Sequence, residues 1–366
     1  MTTQLKKILV VCPYPKDVAP SQRLKFEQYY QWFEQNGYSI TIKPFIDETF
    51  WPIVHKPGNT AKKAFKSLQG YWRRFLLLFS IRQYDLVYIH LWVTPFGPPI
   101  FERLYSALSK KMVYDIDDLV YVKYNKVPWY IRTFKGLRKP IVLMQKADHV
   151  ITCTPYLDKF VRQYNPHTTD ISSTINTDVY TPKTGYEFKE NKPVLGWSGS
   201  HSTVWHMQTV FPALRKLKQQ IDFKLVVMGT EGLTDEVLDI EAIPWKESYE
   251  VEVIRRFDIG IYPLPDAEFV LGKSSLKALQ YMALGIPTVA TAVGTNFRVI
   301  EEGVSGFLVN SEQEWIDALA KLLQNEALRA SVGSRAAARV QQFFSIKANQ
   351  AVYLHILDTV TGRQSH

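Results

Sequence analysis

The sequence predicts an α/β protein built from two Rossmann-like, doubly wound domains in tandem. Short apolar runs rich in β-branched residues alternate with segments of helical periodicity, which is typical of a parallel sheet covered by helices. The alternation occurs in two successive series, separated by the turn-rich segment ISSTINTDVYTPKTG at 171–185. A chain of 366 residues, 46% of them hydrophobic, is long enough for two cores of ordinary domain size.

The first series opens with a β-α-β unit. The run KKILVVCPYP (6–15) predicts a buried strand, and NGYSITI (36–42) predicts a second strand after a glycine stop. Between them, four aromatic residues recur at helical spacing: Phe26, Tyr29, Tyr30 and Phe33. Three further strand-like runs follow: YDLVYIHL (84–91), KKMVYDI (110–116) and DHVITC (148–153). Each is preceded by polar or helical sequence, as expected for parallel strands.

The second series repeats this pattern. Its predicted strands are PVLGWSG (193–199), FKLVVMG (223–229), DIGIYPL (258–264) and PTVAT (287–291). A helix between the first two strands has one apolar face, formed by Met207, Val210, Phe211 and Leu214. A further helix follows Gly272, and the pattern therefore predicts a second domain of the same class.

The chain beyond about residue 310 is predicted to be mostly helical. Ser311 and Glu314 have the spacing of a capping box ahead of an apolar-periodic segment. A last apolar-periodic segment runs from about residue 336 to 360.

Composition indicates a cytosolic protein. No apolar run approaches the roughly 18 residues that a membrane-spanning helix needs, and no run resembles a secretory leader. The two cysteines, Cys12 and Cys153, lie in separate strand-like runs without a Cys-x-x-Cys or Cys/His cluster. We therefore expect reduced core thiols, not a disulfide framework or a zinc site.

The formal net charge of +9 is concentrated in two stretches without acidic residues, 49–84 and 119–147. Their basic residues are Lys56, Lys62, Lys63, Lys66, Arg73, Arg74 and Arg82 in the first, and Lys123, Lys126, Arg132, Lys135, Arg138, Lys139 and Lys146 in the second. Aromatic residues are interleaved with them, a mixture that suits anionic lipid headgroups and, less well, nucleic acid. The alternative is an ordinary solvated surface whose aromatic residues face the core.

The stretch GKSSLKALQYMALGIPTVAT (272–291) predicts an anion site. Its helix is expected to start near Ser274 and to end at Leu284, with Gly285 as the residue after the cap. Lys273, Lys277 and Gln280 are spaced to share a polar stripe. A helix that begins with glycine and lysine at the carboxyl end of a parallel strand brings free N–H groups, a positive dipole end and a cation together, which suits a phosphate. The alternative is a capped helix with a solvated lysine, since no Walker or G-x-G-x-x-G pattern is present.

Three motifs together resemble one enzyme family. The runs GKSSLKALQYMALGIPTVATAVGTNFRVIEEGVSGFLV (272–309), LGWSGSHSTVWHMQTVFPALRKL (195–217) and YDIDD (114–118) are similar to retaining glycosyltransferases of family 4. The resemblance is good over 193–309 and loose in the N-terminal domain. It implies the GT-B fold, in which two domains face each other across a cleft. The implied domains are 1–175 for the acceptor, 176–345 for the nucleotide sugar, and a C-terminal helix at 346–366 that packs back toward the N-terminal domain.

The family's donor motif has two glutamates eight positions apart, and the matching residues here are Gly272 and Gln280. Gln280 retains donor and acceptor atoms for ribose hydroxyls, whereas Glu268 or the backbone of 271–274 would have to replace the other glutamate. A branch of the family with Gly-Lys before the helix carries this glycine, and there the lysine faces the diphosphate, which favours Lys273. The expected donor-binding residues are Gly199, Ser200, Gly272, Ser274, Ser275, Leu276, Lys277 and Gln280.

A second departure from the family follows the strand at 193–199. Many members have an arginine and, five residues later, a lysine that neutralise the diphosphate, but the matching residues here are Ser200 and Trp205. The loop Gly199–Ser200–His201 is expected to hold phosphate through backbone N–H groups, with more of the charge supplied by Lys273. His201 and His206 are interpreted as surface or packing residues.

In the N-terminal domain, the resemblance aligns Asp117 with the family's catalytic histidine and Asp118 with the aspartate after it. Asp117 and Lys273 are therefore the expected catalytic residues, and Ser21, Arg23, Asp115 and Asp118 are expected to line the acceptor cleft. Asp115 and Asp117 also form an Asp-x-Asp pair that could bind a metal, although a two-residue match is weak. Ordinary aspartates at a strand end are the remaining alternative.

The resemblance implies a glycosyltransferase that moves a sugar from a nucleoside diphosphate carrier to an acceptor hydroxyl with retention. We expect no metal or other cofactor, a glycan or lipid-linked acceptor in cell-surface polysaccharide or lipopolysaccharide synthesis, and no nucleic-acid partner. The expected location is the cytoplasm, with peripheral contact at the inner membrane face. The missing glutamates leave two alternatives open: a non-catalytic nucleotide- or glycan-binding relative, and a nucleotide-sugar epimerase of the same fold.

Overall fold

The computed structural model describes residues 5–54, 56–117, 119 and 127–363. Over these residues the chain forms two six-stranded sheets, which confirms the predicted α/β class with two Rossmann-like domains in tandem. One compact unit comprises residues up to Ser173 together with those from Asn349 onward, and the other comprises Thr174–Ala348. None of the helices in the described ranges is both long and apolar enough to cross a membrane.

The first unit is built on a parallel sheet of order β2-β1-β3-β4-β5-β6. Its strands are β1 (Lys6–Cys12), β2 (Tyr38–Pro44), β3 (Leu86–His90), β4 (Met112–Asp115), β5 (His149–Thr152) and β6 (Thr168–Asp170). Its helices are α1 (Pro20–Arg23), α2 (Tyr30–Gln35), α3 (Trp51–Val54), α4 (Thr60–Leu77), α5 (Ile100–Leu108), α6 (Trp129–Phe134), α7 (Lys139–Lys146) and α8 (Pro155–Val161). The strand order reverses between β1 and β3, where open α/β sheets form a ligand crevice.

The second unit is built on a parallel sheet of order β12-β11-β10-β7-β8-β9. Its strands are β7 (Val194–Ser198), β8 (Lys224–Met228), β9 (Ile240–Ile243), β10 (Ile259–Tyr262), β11 (Thr288–Thr291) and β12 (Phe307–Val309). Its helices are α9 (Val204–Gln208), α10 (Phe211–Lys218), α11 (Glu250–Arg255), α12 (Leu276–Ala283), α13 (Asn296–Val299), α14 (Glu312–Gln324) and α15 (Glu326–Arg339). Alternate residues of β8 enter two different apolar clusters, so both faces of the sheet are covered.

The last helix, α16 (Ile346–Thr361), lies mostly in the first unit. The ring of Tyr353 lies 4.5 Å from that of Tyr29, and the Tyr38 hydroxyl donates to Asp358 Oδ1 at 2.7 Å. The C-terminal segment therefore completes the core that the N-terminal β-α-β unit begins.

The structure corrects three details of the expected elements. Strands β6, β9 and β12 were not predicted, and each is an edge strand of only three or four residues, too short to show a strand pattern in the sequence. The helix expected across 207–214 is divided into α9 and α10, with Pro212 in the first turn of α10. The segment expected to run from 336 to 360 is interrupted at Ser345, which forms a bridge with Ile175.

The predicted helix signals were otherwise accurate. Ser311 and Glu314 form a reciprocal capping box at the start of α14. Gly285 has φ +71°, and its left-handed conformation terminates α12 as predicted. Cys12 and Cys153 are buried, and neither forms a disulfide.

Candidate functional site

The second sheet defines a crevice where its strand order reverses, between β7 and β10. The loop at Gly199 and Ser200 leaves the carboxyl end of β7, and residues 263–275 lead from β10 to α12. Tyr281 of α12 holds the two regions together, because its buried hydroxyl accepts a hydrogen bond from the Ser198 N–H at 2.7 Å. The fold therefore brings the two predicted donor motifs to one edge of the sheet.

The first turn of α12 has no side-chain cap. Ser275 has φ +60°, and its hydroxyl donates to Asn296 Oδ1 at 2.6 Å instead of accepting from the helix. Asn296 is fully buried and donates in turn to the Thr291 carbonyl at the end of β11. This anchor fixes the helix start while leaving its first N–H groups without a capping oxygen, which suits an anion.

Lys277 is the most unusual charged residue of this region. Its Nζ lies 4.5 Å from the ring centroid of Trp197 and 5.9 Å from that of Tyr262, and no described carboxylate pairs with it. Burial, together with the smaller effect of repulsion from Lys273, lowers the pKa of Lys277 to about 7. Lys273 and Lys277 therefore lie close enough to repel each other beside the start of α12. An anionic ligand would stabilise both.

The loop after β7 lies directly on Trp197. A Cβ atom at Gly199 would come within 2.0 Å of the Trp197 ring, so only glycine fits there. The Gly199 N–H donates to the Met228 carbonyl at 2.8 Å, and the Ser200 N–H donates to Thr203 Oγ1 at 3.1 Å. This corrects the expectation that these two N–H groups bind phosphate, because both already have acceptors within the unit.

Gln280 also differs from its prediction. It does not lie on an exposed polar stripe with the two lysines, because it is buried and Lys273 precedes the helix. Its Nε2 donates to the Tyr180 hydroxyl at 2.8 Å, which donates to Glu250 Oε2 at 3.1 Å. Gln280 therefore belongs to a buried hydrogen-bond network beneath the crevice.

The sequence reading missed an aromatic cluster beside the lysines. The ring centroid of Phe269 lies 6.5 Å from that of Trp205 and 6.0 Å from that of His206. Trp205 and Phe269 are partly exposed, whereas His206 is buried; burial, Lys277 and Lys273 lower the pKa of His206 to about 4. We name Trp205, His206 and Phe269 the aromatic platform. The exposed rings at 205 and 269 are the sequence signal that could have revealed it.

In the first unit, Asp115 and Asp117 have different surroundings. Asp115 is fully buried, forms an ion pair with Lys25, and accepts a hydrogen bond from the Tyr88 hydroxyl at 2.5 Å. Both of its oxygens are therefore used inside the unit, which corrects its assignment to the acceptor cleft. Asp117 is half-buried just beyond β4. Asp118 lies outside the described residues.

The Asp-x-Asp metal alternative loses support from the same contacts, because Asp115 is committed to Lys25 and Tyr88. Within the described part of the chain, no group of three His, Cys, Asp or Glu side chains is placed to hold a metal ion.

Ser21 and Arg23 lie on α1, at the switch point of the first sheet. Both are half-buried, and the buried Gln22 between them binds the Tyr14 backbone through both its amide atoms. Gln22 thereby fixes the loop after β1, so that the neighbouring side chains sit at the carboxyl edge of the sheet that also carries Asp117.

Comparison with known proteins identifies the second unit most clearly. Residues 192–325 match the family model of glycosyl transferases group 1. A D-inositol 3-phosphate glycosyltransferase of Corynebacterium aurimucosum is 41% identical over 95 residues, which are 25% of this chain and 21% of that protein. The chain therefore matches only about a fifth of the length of this relative.

Solved structures extend the similarity to the whole chain. A glycosyltransferase from Rickettsia africae superimposes with a TM-score of 0.68 at 15% identity, covering 99% of this chain and 100% of that one. Anabaena HepE in complex with UDP-glucose superimposes with a TM-score of 0.67 at 15% identity, covering 96% and 99%. The fold is that of the GT-B glycosyltransferases, and the predicted resemblance is confirmed at this level.

Proposed function

From a GT-B fold whose second unit matches glycosyl transferases group 1, we propose that the protein transfers a sugar from a nucleoside diphosphate carrier to an acceptor hydroxyl. The observation that carries the proposal is the pair Lys273 and Lys277 beside the uncapped start of α12. The half-buried Lys277 ammonium, which packs on aromatic rings and has no described carboxylate beside it, is unfavourable in the free protein. A bound diphosphate supplies the missing negative charge.

The proposed chemistry assigns a role to each group. Lys273, Lys277 and the N-terminus of α12 stabilise the charge that develops on the leaving diphosphate. Because these groups supply that charge, we propose transfer without a metal ion, and by the family resemblance with retention of configuration. Asp117 is proposed to orient the acceptor hydroxyl and receive its proton.

The aromatic platform is proposed to pack against the apolar face of the donor sugar. Trp205 and Phe269 offer partly exposed rings next to the two lysines, so a sugar attached to the bound diphosphate would lie within their reach. UDP-glucose is the first donor to test, since HepE binds it.

The acceptor is proposed to be a glycan or a lipid-linked sugar of cell-surface polysaccharide or lipopolysaccharide synthesis, met in the cytoplasm at the inner membrane face. The basic and aromatic surface of the first unit supports a membrane-associated acceptor. D-inositol 3-phosphate, after which the Corynebacterium relative is named, is the matched soluble acceptor for comparison.

The test has two steps. Binding of UDP, GDP and ADP sugars is measured by calorimetry on the wild type and on Lys277→Met, whose side chain keeps the volume without the charge. Nucleoside diphosphate release is then measured with and without acceptor. Tight binding that is lost in Lys277→Met, followed by acceptor-dependent release, supports the proposal. Wild-type affinity in Lys277→Met overturns it.

The absence of glutamates at Gly272 and Gln280 favours one second candidate, a nucleotide-sugar-binding relative without transferase activity. It would bind the donor and lose binding in Lys277→Met, yet release no diphosphate with any acceptor. An epimerase of the same fold would instead convert the donor sugar without an acceptor, which is visible by NMR of the donor alone.

A further inference from the structure

Helix α4 of the first unit buries an arginine and exposes a row of large apolar side chains. The face that packs on the unit contains Gly70, Arg74 and Leu77. The outward face, continued by one residue beyond the helix, forms a single apolar stripe at helical spacing, exposed by 41–78%: Phe65, Leu68, Trp72, Phe75, Leu76 and Phe79. We name it the α4 stripe. A soluble helix normally places such residues inward, so the stripe calls for a partner.

Arg74 fixes this orientation. Its guanidinium is buried and donates to three backbone carbonyls, those of Val93 at 2.8 Å, Lys43 at 2.8 Å and Cys12 at 3.0 Å. Rotating α4 to bury the stripe would leave this charge without acceptors, at a large cost. The stripe therefore remains on the surface.

The apolar surface continues from α4 onto α5. Tyr71 contacts Phe101 at 6.0 Å between ring centroids, and Ile100 and Leu104 of α5 are exposed. A cavity of about 800 Å³ opens between the two helices, lined chiefly by aromatic and aliphatic side chains. An acyl chain fits a surface of this chemistry.

Positive charge surrounds the stripe, but not where the sequence suggested. Arg73 is paired with Asp47, Arg74 is buried, and the buried Lys139 donates to Thr94, so these three are not available to a membrane. Lys62 is exposed in the first turn of α4. Three of the basic residues counted in these stretches are therefore used inside the unit.

A second cavity, of about 360 Å³, lies next to Ile100. Arg103, Arg132 and Arg138 line it together with the exposed Trp129. No carboxylate lines this cavity or the apolar one among the residues that the structure describes. Guanidinium groups that line one cavity suit a phosphate group, which they bind through paired hydrogen bonds.

We propose that the α4 stripe inserts into the headgroup region of an anionic bilayer and that the arginine cavity binds the phosphate of a lipid in the same leaflet. Aromatic and aliphatic side chains partition into that region, and basic residues beside them are attracted to anionic lipid. A second copy is the less suitable partner, because two such basic surfaces repel each other. The proposal concerns the first unit and does not depend on transferase activity.

This assignment reverses the expected balance of forces. The sequence suggested attachment mainly through lysines and arginines, whose attraction to anionic lipid is weakened by salt. With Arg73, Arg74 and Lys139 committed inside the unit, the apolar stripe carries the larger, salt-resistant part of binding. The arginine cavity adds selectivity for anionic lipid.

The test uses flotation of the full chain with vesicles of phosphatidylcholine, with and without phosphatidylglycerol. The triple variant Trp72→Gln, Phe75→Gln and Phe79→Gln should lose partitioning about tenfold or more, even at high salt. Arg103→Ala with Arg138→Ala should lose only the preference for phosphatidylglycerol. The matched control replaces two exposed phenylalanines of the second unit, Phe297→Gln with Phe343→Gln, and should bind as wild type.

Three results would overturn the proposal. The triple variant could partition as wild type, the control could lose binding equally, or the wild type could form a dimer that the triple variant abolishes while neither binds vesicles. The last result would identify the stripe as an interface between copies. Circular dichroism of each variant establishes that the compared proteins are folded. UDP-glucose binding by the same variants is measured as well, because a loss of vesicle binding with normal UDP-glucose binding concerns the α4 stripe and not the proposed transferase site.

Discussion

Two lysines, one in each unit, have opposite surroundings. Lys25 of the first unit is 2% exposed, pairs with Asp115 at the end of β4 and donates to the Ile116 carbonyl at 3.2 Å. Burial alone would lower the pKa of Lys25, but Asp115 raises it above its usual value. Lys277 of the second unit lies against aromatic rings, and its pKa falls to about 7.

The contrast between Lys25 and Lys277 distinguishes a charged side chain that stabilises the fold from one that is available to a ligand. In the first unit, Arg74 and Lys139 follow Lys25 in donating to acceptors of the same unit. The second unit instead leaves Lys277 without a carboxylate, at a cost in stability. A buried charge that has its own partner is therefore weak evidence for a ligand site, whereas one that lacks it is strong evidence.

Stability measurements on matched variants give the largest expected effect. Lys25→Met leaves Asp115 buried without its cation and should lower the free energy of unfolding by about 3–5 kcal/mol in urea titration. Lys277→Met removes an unpaired charge and should raise it by up to about 1 kcal/mol at pH 6. The double variant Lys25→Met with Asp115→Leu should recover part of the loss. Equal destabilisation by the two single variants would abolish the contrast between the units.

Turnover gives the next largest effect. Lys273→Ala should reduce turnover on the order of a hundredfold, the scale of losing one group that stabilises transition-state charge. The exposed Lys216, which pairs with Glu312, provides the control: Lys216→Ala should behave as wild type. A folded Lys273→Ala enzyme with normal turnover would show that the cationic site of the second unit is not catalytic.

Asp115 at the end of β4 and Asp117 just beyond it should differ in the same way as the two lysines, one affecting stability and the other activity. Asp117→Asn is expected to reduce turnover by roughly tenfold to a hundredfold without changing donor affinity or melting temperature, because the role proposed for Asp117 is that of a base toward the acceptor. Asp115→Asn should lower the melting temperature, because it weakens the pair with Lys25. Activity that requires Mn²⁺ or Mg²⁺ and is abolished by a chelator would contradict this assignment.

The pH dependence of donor binding is the smallest of these effects. Lys277 is protonated below pH 7 and loses its charge as the pH rises, so binding of UDP-glucose must take up a proton above that value. Affinity should fall about fivefold between pH 7 and pH 8 and about tenfold for each further pH unit, until the pKa of the bound state is reached. Lys277→Arg should flatten the profile because arginine stays charged. Calorimetry in two buffers measures the proton uptake, and an identical pH profile in Lys277→Met would contradict the assignment.

The sequence predicted the central strands of both sheets and the edge strand β2, but not the edge strands β6, β9 and β12. Central strands are buried on both faces and appear as continuous apolar runs, which a single sequence reveals. The missed strands β6 and β12 have three residues each and β9 has four, so each is too short to show the periodicity of a strand in the sequence.

The site was predictable where its signal is local. Gly285 and the glycine-lysine start of α12 are neighbours in sequence, and the helix between them was correctly expected. The contact of Lys277 with Trp197 joins residues from two motifs, and only the fold brings them together. Gln280 was misplaced for the same reason, because its partner Tyr180 lies 100 residues away in the chain.

The position of α16 has a consequence for the order in which the two units fold during synthesis on the ribosome. The residues that close the first unit around Tyr29 and Tyr38 are Tyr353 and Asp358, which are synthesised after the entire second unit. N-terminal domains generally fold first during synthesis, but here the second unit, a single continuous segment, is complete before the first. The aromatic surface of the first unit around Tyr29 and Tyr38 therefore stays uncovered until α16 has been synthesised. Docking of α16 is the last step in the folding of this unit.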